Sequence, residues 1–528
     1  MASTHPPLVR TRLSILMLLE FFVWGGWGFA LAGYASDALR FEGWQVGWLV
    51  AVPALGAIIS PLFVGLVADR LFATERVLCV LHILGGISLI AAGYQGQFPG
   101  LMTFMMFNGL LFMPTIALAN SLTFRHIPDP DKFPRIAVFG TVGWIAAVLG
   151  ASVFLGGAAT PGFLYQSGAG GIVLGLYCLT LPATAPKGAA GGVDAFGLHT
   201  LRLLKEPSFL IFVVCVFLFS IPACSYFFTL CVPMLQQRGY PAPLALTTLN
   251  QFSELIFMFS MPWFVAQLGL KRVVLIGMLA WITRYLFFAV PSFPMALLGL
   301  VLHGFCYSFL YIGAYMYIDK RAPEDLKASA QSLLAFLLLG LGWFLGAKFG
   351  GFMMDRYPAP LGSMAAVSHA GSKDTRPLPP WNDPDAATSV WRYLDLSATV
   401  RGLLRGDALA AAGPSAAGPD LAAQLDTNQD RKISMAEVKA IPAAGLVCGG
   451  VTYARDEMIE LVRTIARTVD PRGGPEDEIQ LTRAQWLDTQ ANRWRPIWLW
   501  PAGIAAVLFV LFALAFHDHP ADATTRPS

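Results

Sequence analysis

Few side chains able to carry charge sit inside otherwise apolar runs; among them are Glu20 in LMLLEFFVWGGW, Glu254 in NQFSELIFMF, Arg284 in AWITRYLFF and His303 in GLVLHGFCYSF. A charge at the centre of a membrane helix costs about 2.5 to 3.5 kcal/mol even on a lenient insertion scale, so each needs a reason to be there. Glu254 shares its stretch with Asn250, Gln251 and Ser253, and the i,i+3 spacing of Gln251 and Glu254 projects both from one face. A carboxyl so placed can gain and lose a proton as the hydration of a surrounding cavity changes, which is the physical requirement of a proton-coupling site. The competing reading is a buried acid held by an arginine or an amide to fix helix packing. Glu20 lies in the first third of its run and is a second coupling candidate, or else reaches toward headgroups. Arg284 fits a structural ion pair. His303 titrates near neutral pH or serves as a hydrogen-bonded structural histidine. Trp24, Trp27, Trp144, Tyr307 and Tyr311 offer rings on which a planar or sugar ligand can stack, or they pack the bundle.

A different chemistry stands in LDTNQDRKISMAEV, which matches the EF-hand Ca²⁺ loop. Asp426, Asn428 and Asp430 take positions 1, 3 and 5, Lys432 offers its carbonyl at 7, Ser434 is at 9 and Glu437 is the bidentate ligand at 12. Position 6 is Arg431, where glycine normally makes the sharp turn. The downstream EIQLTRAQWL aligns as a degenerate partner, with Gln485 opposite Glu437. An Asp/Asn-rich turn between helices is the plain alternative.

The elements that carry these residues follow from composition. Of 528 residues 55% are apolar and 13% charged, and the mean hydropathy is +0.58, whereas a soluble domain carries about 25% charged residues. The chain therefore reads as an integral membrane protein. A net charge of +3 leaves no basic surface for nucleic acid. Six of the seven cysteines lie in apolar stretches and Cys448 stands alone, so no disulfide framework or zinc site follows. Runs of about twenty apolar residues span a bilayer as helices. Twelve are expected, at 12–35, 44–68, 77–95, 100–123, 135–156, 161–182, 208–233, 243–268, 272–291, 294–318, 329–354 and 496–516. Arg10, Arg12, Arg70, Arg76, Arg125, Lys132 and Arg135 are among the many basic residues in the loops of one side, against Arg40 and Arg238 in the short loops of the other. That bias sets both termini in the cytoplasm. The expected plan is an N-terminal six-helix half (1–183), a cytoplasmic connector (184–207), helices seven to eleven (208–357), an extracytoplasmic EF-hand-like insert (358–494), and helix twelve with a cytoplasmic tail (495–528).

The 6+6 layout, with GLVADRLFATER carrying Gly65, Asp69, Arg70 and Arg76 after helix two, resembles the major facilitator superfamily: an all-α, twelve-helix membrane fold. LEFFVWGGW, NGLLFMPTIALANSLTF, FPRIAVFGTVGW, NQFSEL, AWITRYLFFA and IDKRAPEDLKASAQ together resemble its nucleoside:proton symporter family over residues 10–357 and 495–517. The resemblance implies a nucleoside held between the halves. Thr141 and Trp144 fall on the family's helix-five threonine and stacking aromatic, and Gln251 and Glu254 on its helix-eight amide and coupling acid. Two positions depart: Ala137 stands where an arginine is expected and Ser308 where helix ten carries an acid, while Glu20 replaces a frequent glutamine. The expected site is thus Trp27, Thr141, Trp144, Gln251, Glu254, Tyr307 and Ser308, with Glu254 and Glu20 for proton coupling. The expected activity is proton-driven nucleoside uptake across the inner membrane, with no cofactor for transport and Ca²⁺ in the insert. A carrier for another polar solute such as a sugar, or a Ca²⁺-responsive receptor on the same fold, stay open. No nucleophile–base set, phosphate loop or zinc ligand set suggests an enzyme.

Overall fold

Inside a bilayer every backbone N–H and C=O must be satisfied by the chain itself, and long apolar runs answer that demand as helices. The structure is a computed structural model that describes residues 6–39, 41–63, 72–129, 132–184, 198–238, 240–323, 326–357, 427, 435–448, 451–453, 455–456, 459 and 483–517. Its first part comprises α1 (Pro6–Gly28), α2 (Ala30–Gly33) with a π-helical turn at Tyr34–Ala38, α3 (Gly43–Phe63), α4 (Thr74–Gly93), α5 (Phe98–His126), α6 (Pro134–Phe154) and α7 (Gly162–Cys178). Its second comprises α8 (Pro207–Ser220), α9 (Cys224–Gln237), α10 (Pro243–Leu246), α11 (Thr248–Leu268), α12 (Leu270–Ala289), α13 (Phe293–Val301), α14 (Gly313–Arg321), α15 (Lys327–Ala335) and α16 (Trp343–Arg356). The short α17 (Met435–Lys439), an antiparallel hairpin of β1 (Leu446–Cys448) and β2 (Val451–Tyr453), and the long α18 (Arg483–Ala515) follow. Among the described residues eight helices are long and apolar enough to cross a membrane, and Gly43–Ile59 and Pro207–Ser220 are shorter apolar helices.

Helix association in lipid depends on close backbone approach at small residues. α4 and α7 meet this way: a Cβ on Gly86 would lie 2.5 Å from the Gly168 carbonyl oxygen, and one on Gly168 would lie 2.7 Å from that of Gly86. α1 and α6 are pinned at Gly143, where a Cβ would overlap the carbonyl oxygen of Leu18.

Where the sequence suggests one continuous helix over 208–233, the structure has two, α8 and α9, parted at Pro222. Proline lacks the N–H and its ring clashes with the preceding turn. The buried Tyr285 hydroxyl on α12 donates to the carbonyl of Pro222 and lies 3.2 Å from that of Ala223, which also accepts from Phe227 N. π-helical turns at Phe305–Ile312 and Phe336–Gly342 interrupt the segments around α13–α14 and α15–α16. α18 begins at Arg483, well before the apolar stretch, and runs on through residue 495.

The two parts are bridged where α2 and α9 end and α3 begins. Asp355, at the end of α16, accepts from the first amides of α3, Gly43 N at 2.6 Å and Trp44 N at 2.8 Å, a carboxylate against a helix N-terminus. Asp37 accepts from Gln237 at 2.8 Å, and the same amide accepts from Arg493 on α18. Arg493 also donates to the Tyr357 carbonyl at 2.5 Å. Tyr357, just past α16, and Arg493, within α18, thus meet at the bridge.

Candidate transport site

Between the two parts lies an aromatic cluster whose shape comes from the WGGWG run of α1. Gly25 and Gly28 present no side chain, and the Trp144 ring of α6 lies against them, so near that a Cβ on Gly25 would come within 2.8 Å of it. Trp24 then meets Trp144 edge-on at 5.6 Å and reaches Trp343 of α16 at 6.4 Å. Phe29 stacks on Phe228 of α9 at 4.1 Å with the planes 2° apart, and Phe228 meets Trp343 at 5.1 Å. Rings from both parts therefore share one layer. Trp27 and Trp144 are buried, and their indole nitrogens have no hydrogen-bond partner among the described residues.

α11 packs on α6 across the same divide. It contributes Gln251, buried and with Oε1 unpartnered among the described residues, and one turn on Glu254, whose side chain is 22% exposed. Glu254 Oε2 lies 3.7 Å from His303 Nε2. The other ring nitrogen of His303 is 2.7 Å from Nη1 of Arg284, a fully buried residue of α12. Arg284 Nη2 donates to Asn250 Oδ1 at 2.9 Å, and the guanidinium sits 3.6 Å from the Phe227 ring centre. The result is a row Asn250–Arg284–His303–Glu254 that carries a buried positive charge to the edge of a partly exposed carboxyl. Ser253 locks the row in register: its hydroxyl donates to the Val301 carbonyl and accepts from Gly304 N at 3.0 Å. Beyond His303, Tyr307 stacks at 6.0 Å and Tyr311 on Tyr307 at 5.6 Å, so one face of the π-helical turn is a ladder of rings.

Of the residues expected from sequence, Trp144 joins the aromatic layer, Glu254 and Tyr307 gather around His303, and Gln251 lies buried one turn before Glu254. Thr141 is half-buried one turn before Trp144, and half-buried Ala137 stands one turn earlier, with Arg135 exposed nearer the helix start. Ser308 is fully buried, its hydroxyl without a partner among the described residues. Arg284, expected to pair with an acid, reaches Glu254 through His303. Glu20 joins a different group, with Thr115 of α5 and His82 of α4. Asp426, Asn428, Asp430, Lys432 and Ser434 lie outside the described residues, as do Gly65, Asp69 and Arg70. Glu437 is described at the start of α17, where Oε1 accepts from Thr427 N at 3.1 Å. Sequence reasoning missed His82, although a histidine in the apolar run VLCVLHILGG is the same signal that singled out His303. It also missed Phe228 and Trp343, which nothing in their local sequence marks.

The profile of the nucleoside H⁺ symporter family matches residues 8–363. The Escherichia coli (strain K12) protein YegT is 37% identical over 361 residues, covering 65% of this chain and 84% of its own. Xanthosine permease of the same organism is 30% identical over 379 residues, covering 66% and 88%. The crystal structure of nucleoside transporter NupG superposes with a TM-score of 0.61 at 25% identity, over 66% of this chain and 91% of that one.

Proposed function

Because this chain belongs to the nucleoside H⁺ symporter family, we propose that it is a secondary transporter that carries a nucleoside together with a proton by alternating access. The observation that carries the reading is the meeting of an aromatic layer with an amide and a partly exposed carboxyl. Trp24, Trp144, Phe228 and Trp343 offer faces for a nucleobase. The unpartnered Gln251 Oε1 and the indole nitrogens of Trp27 and Trp144 await polar atoms of a ligand. Thr141, Tyr307 and Ser308 complete the substrate site in this reading.

Glu254 carries the proton. Arg284 supplies the positive charge and His303, whose Nδ1 accepts from it, relays it as a neutral ring toward Glu254, so ionised Glu254 has a partner when the proton leaves, and a bound proton is favoured when the cavity dries. Glu20 is the second acid in the coupling. The xanthosine and nucleoside permeases named above support a nucleoside as the substrate. One observation favours another polar solute such as a sugar: neither an arginine at Ala137 nor an acid at Ser308 is present to hold a ribose or balance Glu254.

In the same reading the chain crosses the inner membrane twelve times in two six-helix halves, with both termini cytoplasmic and residues 358–494 periplasmic. The Lys/Arg asymmetry supports that orientation. The insert binds Ca²⁺ through Asp426, Asn428, Asp430, Lys432, Ser434 and Glu437; its support is the sequence pattern and the inward-turned Glu437. Calorimetry of the purified full chain with a panel of nucleosides, bases and sugars tests the substrate: saturable heat with nucleosides, lost in Trp144→Ala, is expected, and heat with sugars alone refutes the assignment. A Ca²⁺ titration of the same protein and of Glu437→Gln tests the insert, where unchanged binding in the variant refutes it.

A further inference from the structure

We propose that Glu20 and His82 form a second proton-binding site, set behind the aromatic layer, in which the two side chains hold one proton between them. The inference rests on the proton-coupled reading above and adds His82 and Thr115 to it. Glu20 Oε2 lies 3.0 Å from His82 Nε2, and Glu20 Oε1 lies 2.6 Å from the Thr115 hydroxyl. The three side chains come from α1, α4 and α5 and are 1%, 2% and 0% exposed.

Thr115 gives the site its capacity to change state. Its oxygen is also 2.6 Å from the Phe112 carbonyl one turn back, yet a hydroxyl has one hydrogen to donate. With Glu20 ionised, the hydroxyl donates to the carboxylate. With Glu20 protonated, the acid donates to the hydroxyl oxygen and the hydroxyl turns to the Phe112 carbonyl. In both states Glu20 Oε1 and the Thr115 hydroxyl stay hydrogen-bonded without any heavy atom moving, while Glu20 Oε2 and His82 Nε2 face each other at ion-pair distance.

Charge fixes the number of protons. Of the four protonation states, the two that hold one proton leave the pair neutral overall, either as carboxylate with imidazolium or as acid with imidazole. Adding or removing a proton leaves a net charge buried with no counter-ion, which is costly in an apolar surround. Among the described residues His82 is the ion-pair partner of Glu20. Among the described residues a thiol, Cys178 on α7, faces Glu20, and Cys79 on α4 lies beside that thiol. On α1, Arg12 is turned to the Thr180 carbonyl at the helix end, and on α7 Tyr165 and Tyr177 are bound to the carbonyls of Gly93 and Arg12. Arg125 and His126 lie at the far end of α5, and Arg135 is exposed at the start of α6.

Access runs through rings. Phe112 meets His82 at 6.0 Å and Trp24 at 6.3 Å, edge-on in both cases, and Trp24 reaches Trp343 in the other half. Movement of the halves that draws Trp343 from Trp24 loosens this cover and admits water to the pair, which is when its proton exchanges.

Infrared spectroscopy of the purified full chain, titrated over about pH 5 to 9 without substrate in a Glu254→Gln background, tests the site directly. A protonated-carboxyl band lost in Glu20→Gln is expected, and its titration should move by about one pH unit or more in His82→Gln, a tenfold change in proton affinity. Thr115→Val should also move it and serves where His82→Gln fails to fold. A carboxyl spectrum unchanged by Glu20→Gln, or a titration unmoved in the folded His82→Gln or Thr115→Val protein, overturns the proposal. Because no substrate is present, a failure of nucleoside transport leaves this result standing on its own.

Discussion

Replacing Arg284 probes the part of the site that holds Glu254 in place. Arg284→Ala removes the bonds to His303 at 2.7 Å and Asn250 at 2.9 Å and the guanidinium packed 3.6 Å over Phe227. Hydrogen bonds between membrane helices contribute about 0.6 and up to about 1.7 kcal/mol each, and a desolvated cation–π contact about 2, so the loss is about 3 to 5 kcal/mol. Arg284→Lys keeps the charge but not the planar fork that spans His303 and Asn250, and should lose roughly 1 to 2 kcal/mol. Equilibrium unfolding of the purified protein in mixed micelles measures both. With His303 no longer fixed, the pH profile of uptake should change in whatever Arg284→Lys protein is reconstituted, while Asn250→Ala, which loses one bond, should lie between parent and Arg284→Lys. An Arg284→Ala protein within about 0.5 kcal/mol of the parent would refute the organising role given to this residue.

Glu254→Gln should fold and bind substrate but lose accumulation against a gradient while counterflow persists, as measured side by side in proteoliposomes; equal accumulation would remove Glu254 from coupling. Gly143→Val should cut expression and thermal stability sharply, because its Cβ has no room beside the Leu18 carbonyl, whereas Gly503→Val, where no atom lies within 4 Å, should be neutral in the same assay. Asp37→Ala together with Asp355→Ala removes bridges between the two halves, and a cysteine placed at the buried Ser36 should then react faster with a thiol reagent in a cysteine-free background.

The helical class and the positions of most segments were legible in the sequence because hydropathy directly reports the solvent a helix faces. Interruptions were legible only in part. Pro222 marks the break between α8 and α9 within a run read as one helix, and the π-helical turns at Phe305–Ile312 and Phe336–Gly342 carry no residue signature. Among site residues, Glu254 stood out because a charge in an apolar run has few explanations, and its link to Arg284 through His303 depends on three helices meeting, which no local window contains. His82 carried the same signal and was passed over. Phe228 and Trp343 are ordinary aromatics until the fold sets them in one layer with Trp24, and Arg493 gains its place at the bridge only through contacts with Tyr357 and Gln237, far from it in sequence.

In the proposed reading one protein moves a nucleoside and a proton together. Purified protein reconstituted into liposomes, given an inwardly directed proton gradient and a labelled nucleoside, tests it most directly. Accumulation above the external concentration, abolished by a protonophore and by Glu254→Gln while counterflow continues, is the predicted result. Nucleoside entry that only equilibrates and ignores the gradient, or no nucleoside entry by protein that takes up another solute, would contradict it.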